Sequence, residues 1–87
     1  MRKIEREMLD ALRAGRAWQS GNTRVTADGR VYLHENLIAT WRNGRLEVNL
    51  SALERWPTTT TISRLRALGA DVYRRDFTPY LDGKPIY

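Results

Sequence analysis

The stretch that decides the fold runs from residue 22 to residue 50 and reads NTRVTADGRVYLHENLIATWRNGRLEVNL. Three turn signals divide it into short segments of alternating apolar and polar residues, and these signals are Ala27-Asp28-Gly29, His34-Glu35-Asn36 and Asn43-Gly44. Asn-Gly is typical of a two-residue type I′ hairpin loop, while the other two signals suit three-residue loops that end in a left-handed residue. The stretch therefore predicts a four-stranded antiparallel meander.

These loop lengths fix which residues lie opposite each other, and opposed residues share a face of the sheet. One face is predicted to be apolar and to hold Thr23, Val25, Val31, Leu33, Leu37, Ala39, Trp41, Leu46, Val48 and Leu50. The other is predicted to be polar and to hold Arg24, Thr26, Arg30, Tyr32, Ile38, Thr40, Arg42, Arg45, Glu47 and Asn49. A slip of one residue at any turn would destroy this separation, so its consistency supports the meander.

A helix is predicted on each side of the meander. In residues 3–14 the apolar side chains of Ile4, Met8 and Leu12 recur at helical spacing, and Gly15 provides a stop. In residues 51–69 a threonine of the run 58–61 is expected to cap the second helix, whose apolar stripe is expected to pack on the sheet. A last extended strand is predicted over residues 71–81, so the expected fold class is α+β.

The composition indicates one small globular domain. Because 87 residues suffice for one domain, we expect a single unit over residues 1–87. Hydrophobic residues make up 41% of the chain, which supplies one core and little material for a deep catalytic cleft. The chain contains no run of about 18 apolar residues, so no membrane partner is expected.

The charge is basic and comes almost entirely from arginine. The formal net charge is +5, and 13 of the 15 basic residues are Arg. Arg is preferred where a planar fork must bind phosphate or carboxylate, although codon usage in a G- and C-rich genome would produce the same bias. The composition therefore points to an acidic partner and leaves codon usage as the alternative.

The polar face of the meander is the first candidate binding surface. It is predicted to combine guanidinium groups with one aromatic ring and one apolar side chain, and its residues are Arg24, Arg30, Tyr32, Ile38, Arg42 and Arg45. Such a surface suits either an acidic protein, since Arg and Tyr are favoured in interfaces, or a phosphate backbone. An ordinary solvated sheet face is the remaining alternative. A secondary basic cluster is predicted from Arg64, Arg66, Arg74 and Arg75.

Catalysis, metals and cofactors are not expected. His34 is the only histidine and there is no cysteine, so a transition-metal site would depend on carboxylates alone. The sequence offers no matched acid, base and nucleophile and no Gly-rich phosphate loop, so we predict no catalytic residues and no cofactor.

Several segments resemble a group of small tailed-phage proteins, mostly of unassigned function. They are Glu7–Gly15 (EMLDALRAG), residues 22–25 (NTRV), residues 31–39 (VYLHENLIA), residues 60–68 (TTISRLRAL) and Asp76-Phe77. The resemblance spans most of the chain and includes no catalytic signature.

The resemblance implies a phage or prophage protein that acts in the cytoplasm of the infected bacterium. Small phage proteins of this kind often inhibit host machinery by binding it, so an anti-CRISPR-like or similar host inhibitor is the expected function. The expected partner is a host protein or ribonucleoprotein complex, with direct binding of nucleic acid as the alternative. The chain is expected to be a monomer or, if the last strand pairs with a second copy, a homodimer.

Overall fold

The computed structural model describes residues 2–87 and has the predicted α+β architecture. Its helices are α1 (Lys3–Ala14), α2 (Leu50–Arg55) and α3 (Thr59–Ala67). Its strands are β1 (Trp18–Ser20), β2 (Thr23–Val25), β3 (Arg30–Leu33), β4 (Asn36–Arg42), β5 (Arg45–Val48), β6 (Val72–Arg75), β7 (Thr78–Leu81) and β8 (Lys84–Pro85). Strands β1 to β5 form one antiparallel sheet in chain order, and β6 to β8 form a second.

Helix α1 has the predicted bounds. Met8, Ala11 and Leu12 are buried at helical spacing, so one stripe of the helix faces the core. Gly15 ends the helix with φ at 65°, a left-handed conformation that favours glycine, and its N–H donates to the carbonyls of Ala11 and Leu12.

The first sheet is the predicted meander with one more strand. Opposed pairs such as Val25–Val31 and Trp41–Leu46 have the predicted register. Strand β1, which begins at Trp18, was not predicted; it pairs with β2 and extends the sheet to five strands. The backbone at Gly29 passes so close to β4 that a Cβ atom there would clash with the Trp41 carbonyl oxygen, which explains the glycine in this loop.

The predicted three-residue loop between β3 and β4 is wrong. His34 and Glu35 both have positive φ and form a two-residue turn, so Leu33 lies opposite Asn36 instead of Leu37. A β-bulge between β3 and β4 then restores the pairing of Val31 with Ala39. The turn is one residue shorter than predicted, and the bulge adds one residue to β4. The register beyond the bulge is therefore the predicted one.

Asn49 hydrogen-bonds two backbone carbonyl groups in the bulged part of β4. Its Nδ2 donates to the Leu37 carbonyl over 2.8 Å, and its backbone N–H donates to the Ile38 carbonyl over 2.8 Å. The bulge is therefore hydrogen-bonded, as partly buried backbone must be.

The segment after the meander contains two helices. Leu50, predicted on the apolar face of the sheet, instead begins α2 and is half-exposed. Helix α3 is the predicted second helix, and Thr58 caps it by accepting a hydrogen bond from the Thr61 N–H over 3.1 Å.

The predicted single strand over residues 71–81 is a hairpin. Asp76 and Phe77 have φ values of 50° and 67° and turn the chain between β6 and β7. Because neither Asp-Phe nor its neighbours include a glycine, the sequence carried no strong hairpin signal at this position. Strand β8 then adds to β7 and completes the small second sheet.

One core joins all these elements. Its buried members are Met8, Leu12, Val25, Val31, Leu33, Ile38, Ala39, Ala52, Leu53, Ile62, Leu65, Leu68 and Val72. Val72 belongs to the second sheet, and Leu81 and Ile86 pack against the same cluster. The helices thus cover the apolar face of the first sheet and leave its polar face exposed.

Candidate functional site

The exposed face of the first sheet carries most of the predicted binding residues. We call it the arginine face and define it by Arg24, Arg30, Tyr32, Arg42 and Arg45. Arg24 lies opposite Tyr32, and Arg42 lies opposite Arg45, as the predicted register requires. The sheet therefore brings these five residues to one surface.

Arg24 is held in place on this face. Its guanidinium lies 4.2 Å from the centroid of the Tyr32 ring, and one Nη donates to a carboxylate oxygen of Glu35 over 3.1 Å. A cation over an aromatic face contributes about 0.5–1 kcal/mol at exposed sites, and an exposed ion pair contributes little. The main consequence is orientation, since the ring and the carboxylate restrict the guanidinium to one position.

Arg30 is more exposed and has a weaker partner. Its Nε lies 3.6 Å from a carboxylate oxygen of Asp28 in the preceding loop. The hydroxyl of Thr26 donates to Asp28, and this hydrogen bond lowers the pKa of Asp28, with the charge of Arg30 acting in the same direction against desolvation. Asp28 is therefore a carboxylate at neutral pH and partly neutralises Arg30.

Arg42 and Arg45 form a like-charge pair across the β4–β5 hairpin. Both are exposed, and neither makes an ion pair with any residue in the range 2–87. Like charges directly opposed on two strands destabilise a hairpin. This end of the arginine face thus offers two guanidinium groups that pair with no carboxylate of residues 2–87.

Ile38 does not belong to the arginine face, which corrects the prediction. It is 2% exposed and packs in the core, because the β-bulge turns its side chain to the same side as Ala39. Leu37 takes the position opposite Tyr32. The sequence offered no signal for this exchange, since a bulge is decided by backbone pairing and not by residue type.

A shallow depression beside Tyr32 extends the face toward α2. Its volume is about 370 Å³, and its lining includes Leu37, Arg55 and Trp56. Trp56 is 41% exposed. Arg55 and Tyr32 both border this depression.

The secondary basic cluster is divided by the fold. Arg64 is 3% exposed and lies inside the protein, so its assignment to a solvent-facing cluster is wrong. Arg66 and Arg74 are exposed and line one cavity together. Arg75 follows Arg74 in β6, where successive side chains point to opposite faces, and it does not border that cavity.

Arg64 has a structural role that its sequence context did not reveal. Its Nη1 donates to Glu5 Oε2 over 2.8 Å, and its Nε donates to Thr23 Oγ1 over 3.1 Å. The Ser63 hydroxyl donates to the same Glu5 oxygen over 2.6 Å. Burial acts to raise the pKa of Glu5, but the hydrogen bonds from Ser63 and Arg64 and the charge of Arg64 outweigh it and leave the pKa of Glu5 lowered.

Residues 2–87 lack two features, a metal-binding cluster and a helix able to cross a membrane. Within that range, no group of three or more His, Cys, Asp and Glu side chains could hold a metal ion. None of the helices in this range has the length and apolar character needed to cross a membrane.

Comparison with known proteins places the chain in a phage family. No curated protein and no solved structure matches it. The family model described as Kyanoviridae Gp96 protein matches residues 1–87. Since this match covers the whole chain, the protein belongs to the Kyanoviridae Gp96 family of phage proteins.

Proposed function

We propose that this phage protein is a non-enzymatic inhibitor that docks its arginine face on an acidic surface of a host protein or ribonucleoprotein complex that handles nucleic acid. The observation that carries the proposal is the opposed pair Arg42 and Arg45, which lies on the same face as the oriented Arg24. Two opposed guanidinium groups that form no ion pair within residues 2–87 lower folding stability, and an acidic partner that binds both would offset this loss.

The charge pattern supports a protein partner over a bare phosphate backbone. Carboxylates are interspersed with the arginines, since Asp28 contacts Arg30, Glu35 contacts Arg24, and Glu47 lies opposite Thr40. A phosphate backbone is uniformly negative and would be repelled by these carboxylates. A protein surface carries both signs and can match such a pattern.

The apolar groups of the face also suit a protein interface. Tyr32 and Leu37 lie opposite each other, and the depression beside them is bordered by half-exposed Trp56. Tyr, Trp and Arg are the residue types that most often carry the binding energy of protein interfaces. An anti-CRISPR-like inhibitor, which binds a nucleic-acid-guided host complex, is one form of this proposal.

A pull-down with matched charge variants tests the proposal. The test variant carries Arg42→Glu and Arg45→Glu, which replaces one like-charge pair by another and so keeps hairpin stability nearly constant. The control carries Arg6→Glu and Arg13→Glu on the exposed side of α1, with the same change in net charge. We expect wild type and control to capture a host nucleic-acid-handling protein that the test variant loses; identical profiles for all three would overturn the proposal.

Direct nucleic-acid binding remains the second candidate because Arg30, Arg42 and Arg45 are exposed. Three phosphate contacts would give a slope of about −3 for log affinity against log salt. Filter binding of duplex and single-stranded DNA over a salt series measures this slope. A slope near −3 that Arg42→Glu with Arg45→Glu abolishes would replace the protein-partner proposal, whereas no binding at low salt would eliminate this candidate.

A further inference from the structure

The strand β5 forms an open edge of the first sheet. It is the last strand in the sheet order, and within residues 2–87 its backbone hydrogen bonds join it to β4 alone. Unpaired N–H and C=O groups along such an edge can pair with a further strand. The outer side of β5 is therefore able to accept another strand.

The hairpin fixes which backbone groups of β5 point outward. Arg42 and Arg45 close the two-residue loop, and such a closing pair exchanges both of its backbone hydrogen bonds. The bonding direction alternates along a strand, so Glu47, like Arg45, bonds to β4. Leu46 and Val48 therefore direct their N–H and C=O groups to the open edge.

The side chains of this edge are complementary to a second copy of the same edge. Arg45 and Glu47 are exposed and lie on one side of the strand, and neither forms an ion pair within residues 2–87. The half-buried Leu46 lies between them and points to the opposite, apolar side of the sheet. When the order Arg-Leu-Glu meets its own antiparallel copy about the central leucine, each arginine meets a glutamate.

We infer that two copies of the protein pair antiparallel through β5, about a twofold axis at Leu46. The two Leu46 residues then lie opposite each other and exchange backbone hydrogen bonds, while Arg45 of each copy lies opposite Glu47 of the other. Opposite charges directly across two strands stabilise their pairing. Because a twofold contact uses the same patch on both copies, it closes at a dimer.

Charge selects this register over the neighbouring one. Since Leu46 and Val48 both point outward, backbone hydrogen bonding alone would also permit Leu46 opposite Val48 of the second copy. That register brings the two Glu47 carboxylates face to face, which is destabilising. Only the register centred on Leu46 gives every charged side chain of the edge an opposite charge.

The dimer also offsets the like-charge pair at the end of the arginine face. Arg45 lies beside Arg42 of its own hairpin, and in the dimer the Glu47 carboxylate of the second copy lies on its other side. Addition of strand to strand continues one sheet, so the two arginine faces lie on the same side of it. The inference thus goes beyond the proposed function and does not depend on what the arginine face binds.

Analytical ultracentrifugation over a concentration series tests the inference. We expect wild type to pass from monomer to dimer as the protein concentration rises. Glu47→Arg sets two arginines opposite each other, and Arg45→Glu sets two glutamates opposite each other. Each variant alone should raise the dissociation constant of the dimer by at least about tenfold, because like charges in contact disfavour association.

A mixture of these two variants gives the most specific measurement. In a mixed dimer the basic edge of Glu47→Arg faces the acidic edge of Arg45→Glu, which forms the two ion pairs again. We expect the mixture to dimerise at concentrations where neither variant does so alone, and this result also shows that both variants are folded. A chain that carries both substitutions should dimerise like wild type.

Arg30→Glu is the matched control, since it makes the same charge change on the exposed strand β3, away from the β5 edge, and should dimerise like wild type. A wild-type protein that stays monomeric at about 1 mM, where even a weak contact is populated, would overturn the inference. Equal dimerisation of wild type and both single variants would indicate another interface and would also overturn it.

Glu47→Arg separates this inference from the proposed function. It removes the dimer and keeps every residue of the arginine face, so capture of the host protein by this variant would show that binding does not require the dimer. A wild-type protein that dimerises and captures no host protein would contradict the proposed function and leave the dimer standing.

Discussion

At the scale of single residues, burial gives the charge of Arg64 a structural role instead of the predicted binding role. It was predicted to face solvent, yet its guanidinium is enclosed with Glu5, Ser63 and Thr23. A buried ion pair contributes little net stability compared with apolar packing, but removal of one partner leaves an uncompensated buried charge. The pair therefore links α1 to α3 inside the protein.

We expect Glu5→Gln to lower the free energy of unfolding by about 3 kcal/mol at pH 7, because Arg64 would remain buried without its counter-charge. Urea unfolding monitored by tryptophan fluorescence measures the loss. Glu7→Gln, in the same helix and without an ion pair in the range 2–87, is the matched control and should change stability by less than about 0.5 kcal/mol.

The same variant has a defined pH dependence. Because the folded pKa of Glu5 is lowered, its contribution is fully present above the ordinary glutamate pKa of about 4.3 and is lost as the pH falls through the lower folded value. The difference between wild type and Glu5→Gln should therefore shrink in acid. A difference that is equal at pH 7 and pH 3 would contradict this assignment.

At the scale of elements, the β6–β7 hairpin has an unusual turn. Phe77 occupies a left-handed position with φ at 67°, and its side chain is 87% exposed. A residue with a Cβ atom in that conformation costs about 1–2 kcal/mol relative to glycine. The hairpin therefore forms in spite of its turn residues, because pairing of Val72–Arg75 with Thr78–Leu81 and burial of Val72 stabilise it.

We expect Phe77→Gly to raise the free energy of unfolding by about 1 kcal/mol, because glycine adopts the left-handed conformation without strain and little apolar burial is lost. Thermal unfolding followed by circular dichroism measures the change. Phe77→Ala removes the ring but keeps the Cβ atom, so it should leave stability near that of wild type. A Gly variant no more stable than the Ala variant would refute the proposed strain.

At the scale of the whole molecule, the two sheets share one core. Val72 is 1% exposed and belongs to the same buried cluster as Leu65 of α3 and Val31 of the first sheet. Domains of this size usually unfold in one cooperative transition. The second sheet should therefore be thermodynamically coupled to the first.

We expect Val72→Ala to lower the free energy of unfolding by about 2 kcal/mol, because it removes buried methyl groups and leaves a cavity. The three tryptophans all precede α3, so their fluorescence reports the part of the chain outside the second sheet. If the two sheets are coupled, Val72→Ala should lower the urea midpoint measured by tryptophan fluorescence together with the midpoint measured by far-ultraviolet circular dichroism. An unchanged fluorescence midpoint would instead indicate independent sheets; exposed Lys84→Ala is the control and should shift neither signal.

The sequence by itself determined α1, the meander, α3 and most of the arginine face, because each rests on local information. Periodicity marked the helices, and the loops at Gly29 and Gly44 fixed the strand register through backbone conformations that favour glycine. Arg24 and Tyr32, like Arg42 and Arg45, could be placed together since strand alternation is strictly local.

Only the tertiary structure decided the positions that depend on distant partners. Ile38 lies in the core because of the bulge in β4, where its carbonyl accepts a hydrogen bond from the Asn49 N–H. Arg64 is buried because it pairs with Glu5, which lies 59 residues away in sequence. The hairpin at Asp76 and Phe77 likewise forms despite unfavourable turn residues, because β6 pairs with β7 and Val72 is buried. In each case a long-range contact outweighs a local preference, and a sequence read segment by segment does not contain that contact.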